Sequence, residues 1–211
     1  MSAFLEQLNL NLGDLVERVG RSLVRVSRGG RGFGSGSIWH PDGLIITNAH
    51  VVAGSESVSI EVGGQSYEAG VVSYDPDADI SILDVPNLPS APLQFADGEA
   101  PSGTDGIVMG YPGGGDFTAT PARVREIIEL NGPDIYRTTT VTREVYTIRG
   151  TVKQGNSGGP MINRSGKVLG VVFGAAVDDA DTGFVLTADE VARQMARVGN
   201  VDRVPTGTCI S

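Results

Sequence analysis

The chain has 211 residues, which suits one domain of two sub-barrels or two small domains. Its 30 glycines, 11 prolines and few aromatics fit many short strands joined by tight turns, and a net charge of −9 with no basic stripe argues against a nucleic-acid partner. The lone cysteine, Cys209, excludes an intrachain disulfide, and neither an apolar run of membrane-spanning length nor a basic-then-apolar leader is read in the sequence.

Residues 1–20 are expected to form an N-terminal helical arm. Phe4, Leu5, Leu8, Leu12, Leu15, Val16 and Val19 fall near one face, although Gly13 weakens the pattern. A first β-unit spans 21–88. Leu23, Val24 and Val26 begin a strand, and the glycine-rich stretch Gly29 to Gly36 reads as a loop entering a strand that ends at Trp39. Its spacing fits neither a phosphate-cradling loop nor a dinucleotide fingerprint. His40-Pro41-Asp42-Gly43 reads as a hairpin turn, with His40 solvated. Leu44 to Thr47 is a short strand, and Asn48 to Gly54 is one helical turn closed by Gly54. Val58 to Val62 and Tyr67 to Tyr74 are further strands. The turn Asp75 to Asp79 then opens the apolar run Ile80, Ile82, Leu83 and Val85.

Residues 89–103 read as a crossing to a second β-unit over 104–187. There Ile107 to Met109, Thr118 to Leu130, Val141 to Val152, Val168 to Phe173 and Gly183 to Leu186 are strands, and Asn131 to Asp134 turns the chain. Thr187-Ala188-Asp189-Glu190 reads as a capping box in which Thr187 caps and Glu190 reaches back. It opens a helix within a C-terminal unit spanning 188–211. The expected class is therefore all-β, with one C-terminal helix.

The stretch Lys153-Gln154-Gly155-Asn156-Ser157-Gly158-Gly159-Pro160 sets one serine among three glycines. Glycine allows a sharp bend, and the amides of Gly155 and Ser157 can then point at one spot where an oxyanion would sit. A serine hydroxyl is a weak nucleophile and needs a base, which in turn needs an orienting group. Of the two histidines, His50 ends a strand and opens a tight turn, where a side chain can be presented to a cleft. Asp79 abuts Ile80 and is the acid carried into the interior, whereas Asp75 and Asp77 read as turn carboxylates. The serine stretch also fits Gly-x-Ser-x-Gly of the α/β-hydrolases, but no histidine follows Ser157 and Gly158-Gly159-Pro160 is a poor helix start. The order His50, Asp79, Ser157 is that of chymotrypsin-like enzymes. An imidazole of ordinary pKa predicts turnover that falls below roughly pH 6.

Thr47-Asn48-Ala49-His50-Val51-Val52, Asp75-Pro76-Asp77-Ala78-Asp79-Ile80 and Gly155-Asn156-Ser157-Gly158-Gly159-Pro160 resemble the three signatures of trypsin-like serine proteases of the bacterial HtrA type. Gly110-Tyr111-Pro112, Thr118 to Arg125, Thr142 to Tyr146 and Gly170 to Asp179 resemble the membrane-anchored acid-resistance serine protease (MarP) family of actinobacteria. The resemblance implies a chymotrypsin-like double six-stranded β-barrel outside the membrane, in the periplasm or another extracytoplasmic space. It also implies a membrane anchor outside this chain, and a disulfide for which Cys209 has no partner here. By the same resemblance His50 is the base, Asp79 the orienter and Ser157 the nucleophile, with Gly155, Asn156 and Ser157 forming the oxyanion loop.

The implied substrate is a peptide or protein. Thr151, Val152, Lys153 and Gln154, with Val172, Phe173, Gly174 and Ala175, are expected to wall its first specificity pocket. They offer no aspartate, which points to a small or medium apolar side chain before the cleaved bond. Asn156, being neutral, cannot pair with a newborn N-terminal ammonium, so other contacts must set the oxyanion loop. No cofactor is expected, and two distant histidines with one cysteine make no credible zinc site. The rival reading is a protease fold held catalytically silent that acts as a binding module.

Overall fold

The computed structural model describes residues 3–29, 31–55, 57–89 and 91–210, with no side-chain description for 3–10 and 31–33. The strands close into two antiparallel barrels, in the orders β1-β2-β3-β6-β5-β4 and β10-β11-β12-β9-β8-β7. The first is built from β1 (Leu23–Arg28), β2 (Arg31–His40), β3 (Leu44–Thr47), β4 (Val58–Val62), β5 (Gln65–Asp75) and β6 (Ile80–Asp84). The second comprises β7 (Asp105–Gly110), β8 (Thr118–Pro133), β9 (Thr140–Arg149), β10 (Pro160–Ile162), β11 (Val168–Ala175) and β12 (Thr182–Thr187). Three helices accompany them among the described residues: α1 (Ala3–Gly20), the single turn α2 (Ala49–Val52) and α3 (Ala188–Met195).

Alternation along the strands divides the core. Val24, Val26, Ile38, Ile45 and Leu83 fill the first barrel, and Val108, Val124, Ile148, Met161 and Val185 fill the second. Leu44, Ile46, Ile80 and Ile82 point the other way, against Val145, Val171 and Leu186 of the second barrel and Val191 of α3. Both faces of β3 and β6 are therefore buried, which is why those runs read as continuously apolar. Fully burying one such side chain is worth about 1.5–3 kcal/mol, so the seam between the barrels is a true core. The helical turn α2 after β3 carries His50, the turn before β6 carries Asp79, and the loop between β9 and β10 carries Ser157.

Leu15 and Val19 of α1 pack on Leu23, Ile107 and Ile162, whereas Leu12 is exposed. The expected places of Phe4, Leu5 and Leu8 on that face lie outside the described side chains. No helix among the described residues is long and apolar enough to cross a membrane.

The structure corrects four local expectations. The glycine-rich stretch from Arg31 is strand β2, not a loop; a Cβ on Gly34 would lie 2.9 Å from the Ser157 carbonyl oxygen, so the missing side chain marks a close approach. The chain does not turn at Asn131 to Asp134. Pairing runs on through Pro133↔Thr140, and the turn over 134–139 is closed by the Asp134 carboxylate, which accepts from the Thr138 amide at 2.9 Å. Strand β9 stops at Arg149, which frees 150–152 for the loop leading to the serine. The capping box is half made: Thr187 accepts from the Glu190 amide, but Glu190 reaches the Glu144 amide at 3.1 Å instead of the cap.

Candidate active site

Two strand ends of the first barrel bring His50 and Asp79 together. Asp79 closes the turn before β6 with φ +57°, a left-handed conformation that aspartate tolerates better than most residues. That conformation is fixed by its neighbours. The Asn48 side-chain amide donates to the Asp79 carbonyl at 2.8 Å, and the His50 amide donates to Oδ1 at 2.9 Å. The second carboxylate oxygen lies 2.8 Å from His50 Nδ1. Asp79 is buried, and a buried carboxylate accepts only, so Nδ1 carries the hydrogen and Nε2 keeps its lone pair.

Burial alone lowers the pKa of His50. The charge of Asp79 and its hydrogen bond outweigh that effect, and Arg143 and Arg28 oppose them weakly, leaving the pKa above its ordinary value. Asp75 serves its own turn, accepting from the amides of Asp77 and Ala78 at 2.9 Å, and Asp77 is exposed. His40 stands exposed in its hairpin, where Nδ1 accepts from the Asp42 amide at 3.3 Å.

The second barrel presents Ser157 through backbone. Gly155 has φ +96°, and a Cβ there would sit 2.5 Å from the Tyr111 carbonyl oxygen. The Gln154 carbonyl accepts from the Gly113 amide at 2.7 Å, and the Asn156 carbonyl accepts from the Gly159 amide at 2.9 Å. In a trans peptide the N–H opposes the C=O. The amides of Gly155 and Ser157 are therefore turned away from those contacts, and among the described residues neither has an acceptor. Asn156 is buried, and its side-chain oxygen accepts from the Lys153 amide at 2.9 Å, which braces the loop from within.

The serine loop abuts the first barrel directly. The Ser35 amide donates to the Ser157 carbonyl at 2.8 Å, and the Ser35 hydroxyl donates to the Gly155 carbonyl at 2.7 Å while accepting from the Tyr111 amide at 2.8 Å. A Cβ on Gly158 would lie 2.1 Å from the Ser35 carbonyl oxygen and 3.2 Å from the Asn48 amide, two residues before His50. The Ser157 hydroxyl is half-buried and, among the described residues, has no hydrogen-bond partner.

Around the serine, Thr151, Lys153, Gln154 and Ala175 are exposed, while Val152, Phe173 and Gly174 are half-buried. Val172 is fully buried in the second barrel, and its backbone bonds to Gly158 and Gly159 at 2.8 and 2.9 Å. A Cβ on Gly183 would come within 2.5 Å of Val152 and 3.1 Å of Ile148, so β12 approaches these apolar side chains closely. Sequence reasoning missed Ser35, Asn48 and the 3-10 turn at Pro112–Gly114. The alternating glycines around Ser35 were the only available sign of its close packing.

A profile for the trypsin-like peptidase domain matches residues 34–171. This chain belongs to the trypsin-like peptidase family. Serine protease Rv3671c of Mycobacterium tuberculosis is 60% identical over 179 residues, covering 84% of this chain and 45% of that protein. A probable periplasmic serine endoprotease, DegP-like, of Rickettsia prowazekii is 30% identical over 221 residues, covering 100% of this chain and 41% of its own length. The chain thus spans less than half the length of these curated relatives. The crystal structure of the Rv3671c protease in its active form matches this peptidase fold with a TM-score of 0.91 at 54% identity, covering 96% of this chain and 91% of that one. The inactive form of the same protease matches with a TM-score of 0.81 at 56% identity, over 90% of this chain and 96% of that one. The resemblance to HtrA-type and actinobacterial serine proteases holds in sequence and in fold.

Proposed function

We propose that this chain is a serine endopeptidase that hydrolyses peptide bonds through an acyl-enzyme. His50 Nε2 takes the proton of Ser157, whose oxygen attacks the carbonyl carbon. The Gly155 and Ser157 amides receive the developing oxyanion, and His50 then gives its proton to the leaving amine. Water repeats the sequence on the acyl group and frees the acid product. The observation that carries this reading is the pair of peptide planes fixed by their carbonyls, which leaves two amides without an acceptor among the described residues, together with a histidine held in one tautomer. The Ser157 hydroxyl makes its bond to His50 as substrate fills the cleft, since such contacts tighten in the reacting complex.

Val152 and Phe173, half-buried on the expected pocket wall, favour a small or medium apolar side chain before the cleaved bond. No aspartate stands at Thr151 to balance a basic one. The kinship with proteins named periplasmic supports an extracytoplasmic setting. The test is Ser157→Ala on an apolar peptide series and an unfolded protein. Turnover should vanish with the melting curve unchanged; turnover at the wild-type rate overturns the proposal. Absent turnover in the wild type as well would favour a silent binding module.

A further inference from the structure

Arg143 on β9 is buried, at 5% exposure, and meets no carboxylate among the described residues. Its Nε donates to the Asp77 carbonyl at 2.7 Å and its Nη1 to the Pro133 carbonyl at 3.2 Å, and the guanidinium lies 5.9 Å from the centre of the Phe173 ring. A buried cation is costly unless its donors and charge are met, and two carbonyls with an aromatic face meet them in part. The placement is telling. Asp77 belongs to the first barrel, in the turn that ends at Asp79, while Pro133 and Phe173 belong to the second barrel, which carries Ser157.

We propose that Arg143 is a positioning residue for peptide hydrolysis: it ties the turn bearing Asp79 to the second barrel and so fixes the His50–Asp79 pair against Ser157. This rests on the peptidase reading above. Other contacts share the clamp. The Ile135 amide reaches the Pro76 carbonyl at 3.4 Å, Tyr136 meets Tyr74 at 2.6 Å, and Arg197 after α3 pairs with Asp75 at 3.0 Å. Arg143 differs from them in being a buried cation that meets no carboxylate among the described residues, whereas Arg197 is exposed. The charged groups acting on His50 are Asp79, which raises its pKa, and Arg143 and Arg28, which lower it. A residue that merely filled space at this place would leave the ionisation of His50 untouched. Lysine would keep the charge but lose the planar fork that spans two carbonyls and lies against a ring.

The experiment measures kcat and KM against pH for the wild type, Arg143→Met and Arg143→Lys, with thermal unfolding and fluorophosphonate labelling of Ser157 alongside. Arg143→Met should lose about tenfold or more in kcat, because small displacements of a reacting pair are expensive. Its acidic limb should also move to higher pH. Arg143→Lys should keep the wild-type limb while kcat still falls about fivefold or more. Should Arg143→Met fail to fold, Arg143→Lys decides by its kcat. Wild-type kcat in Arg143→Lys, or an unmoved limb in a folded Arg143→Met, overturns the role while an active wild type leaves the peptidase reading intact. A folded wild type with neither turnover nor label overturns both.

Discussion

The two barrels contribute to the site in different currencies. The first gives side chains: an imidazole and a carboxylate joined at 2.8 Å, with the carboxylate's Oδ1 held by the His50 amide. The second gives backbone: two peptide planes held by their carbonyls, and a serine whose hydroxyl is left unbonded among the described residues. A side-chain pair can be disabled by changing chemistry at constant shape, whereas a backbone cradle can be disabled only by changing shape. The contrast orders the expected effects.

Asp79→Asn tests the side-chain half with almost no change in volume. The amide can donate to His50 Nδ1, which stabilises the wrong tautomer and removes the base from Nε2. On the proposed reading, turnover should fall about ten-thousandfold. A loss of only tenfold would contradict the orienting role of Asp79. Gly155→Ala tests the backbone half. The added methyl group would meet the Tyr111 carbonyl at 2.5 Å and the Gly113 amide at 2.6 Å, at a φ that alanine adopts at a cost of about 1–2 kcal/mol. Reorienting that one amide should cost about 10²–10³ in kcat, with KM little changed. Wild-type kcat in this variant would mean that the Gly155 amide has no part in catalysis.

Ser35→Ala reaches the cradle from the opposite barrel. It removes the donor to Gly155, which is buried, and the acceptor for Tyr111, which is half-buried, and should destabilise the fold by about 1–3 kcal/mol. In a chain of this size that lowers Tm by about 2–4 °C per kcal/mol. An unchanged melting curve would show that the serine loop is held elsewhere. The mildest perturbation is pH. Asp79 holds the His50 pKa above 6.5, so turnover should begin to fail at a higher pH than an ordinary imidazole predicts. The stability linkage has the opposite sense. Because the folded pKa is raised, this pair's added stability is full below the unfolded value of about 6.5 and is lost as pH rises through the folded one. Acid should thus weaken catalysis before it weakens this pair.

The side-chain half was legible in the sequence because its chemistry resides in residue types: a histidine at a strand end, an aspartate at the mouth of an apolar run and a serine among glycines. The backbone half was legible only as glycine. Which peptide planes are fixed depends on Ser35, Tyr111 and Gly113, far from Ser157 in sequence, and no local pattern announces such contacts. The same limit hid β2, whose glycines signal close approach to the serine loop and so read as a loop when that neighbour is unknown. Arg143 sits in Thr142-Arg143-Glu144, which looks like a solvated strand face until the Asp75 to Asp79 turn is packed over it. The long β8–β9 hairpin was cut short for a related reason, since Asn131 to Asp134 has turn chemistry while its pairing partners Thr140 to Thr142 lie beyond the true turn.

On the proposed reading each half is in place before substrate arrives, only the His50–Ser157 contact remains to close, and Ser157 reacts as an activated nucleophile. An organofluorophosphonate followed by intact mass and peptide mapping tests this without knowledge of the natural substrate. One adduct per chain is expected, on Ser157, formed rapidly near neutral pH and slowed severely in Asp79→Asn. A folded wild type that stays unlabelled at Ser157, or labels no faster than Asp79→Asn, would contradict it.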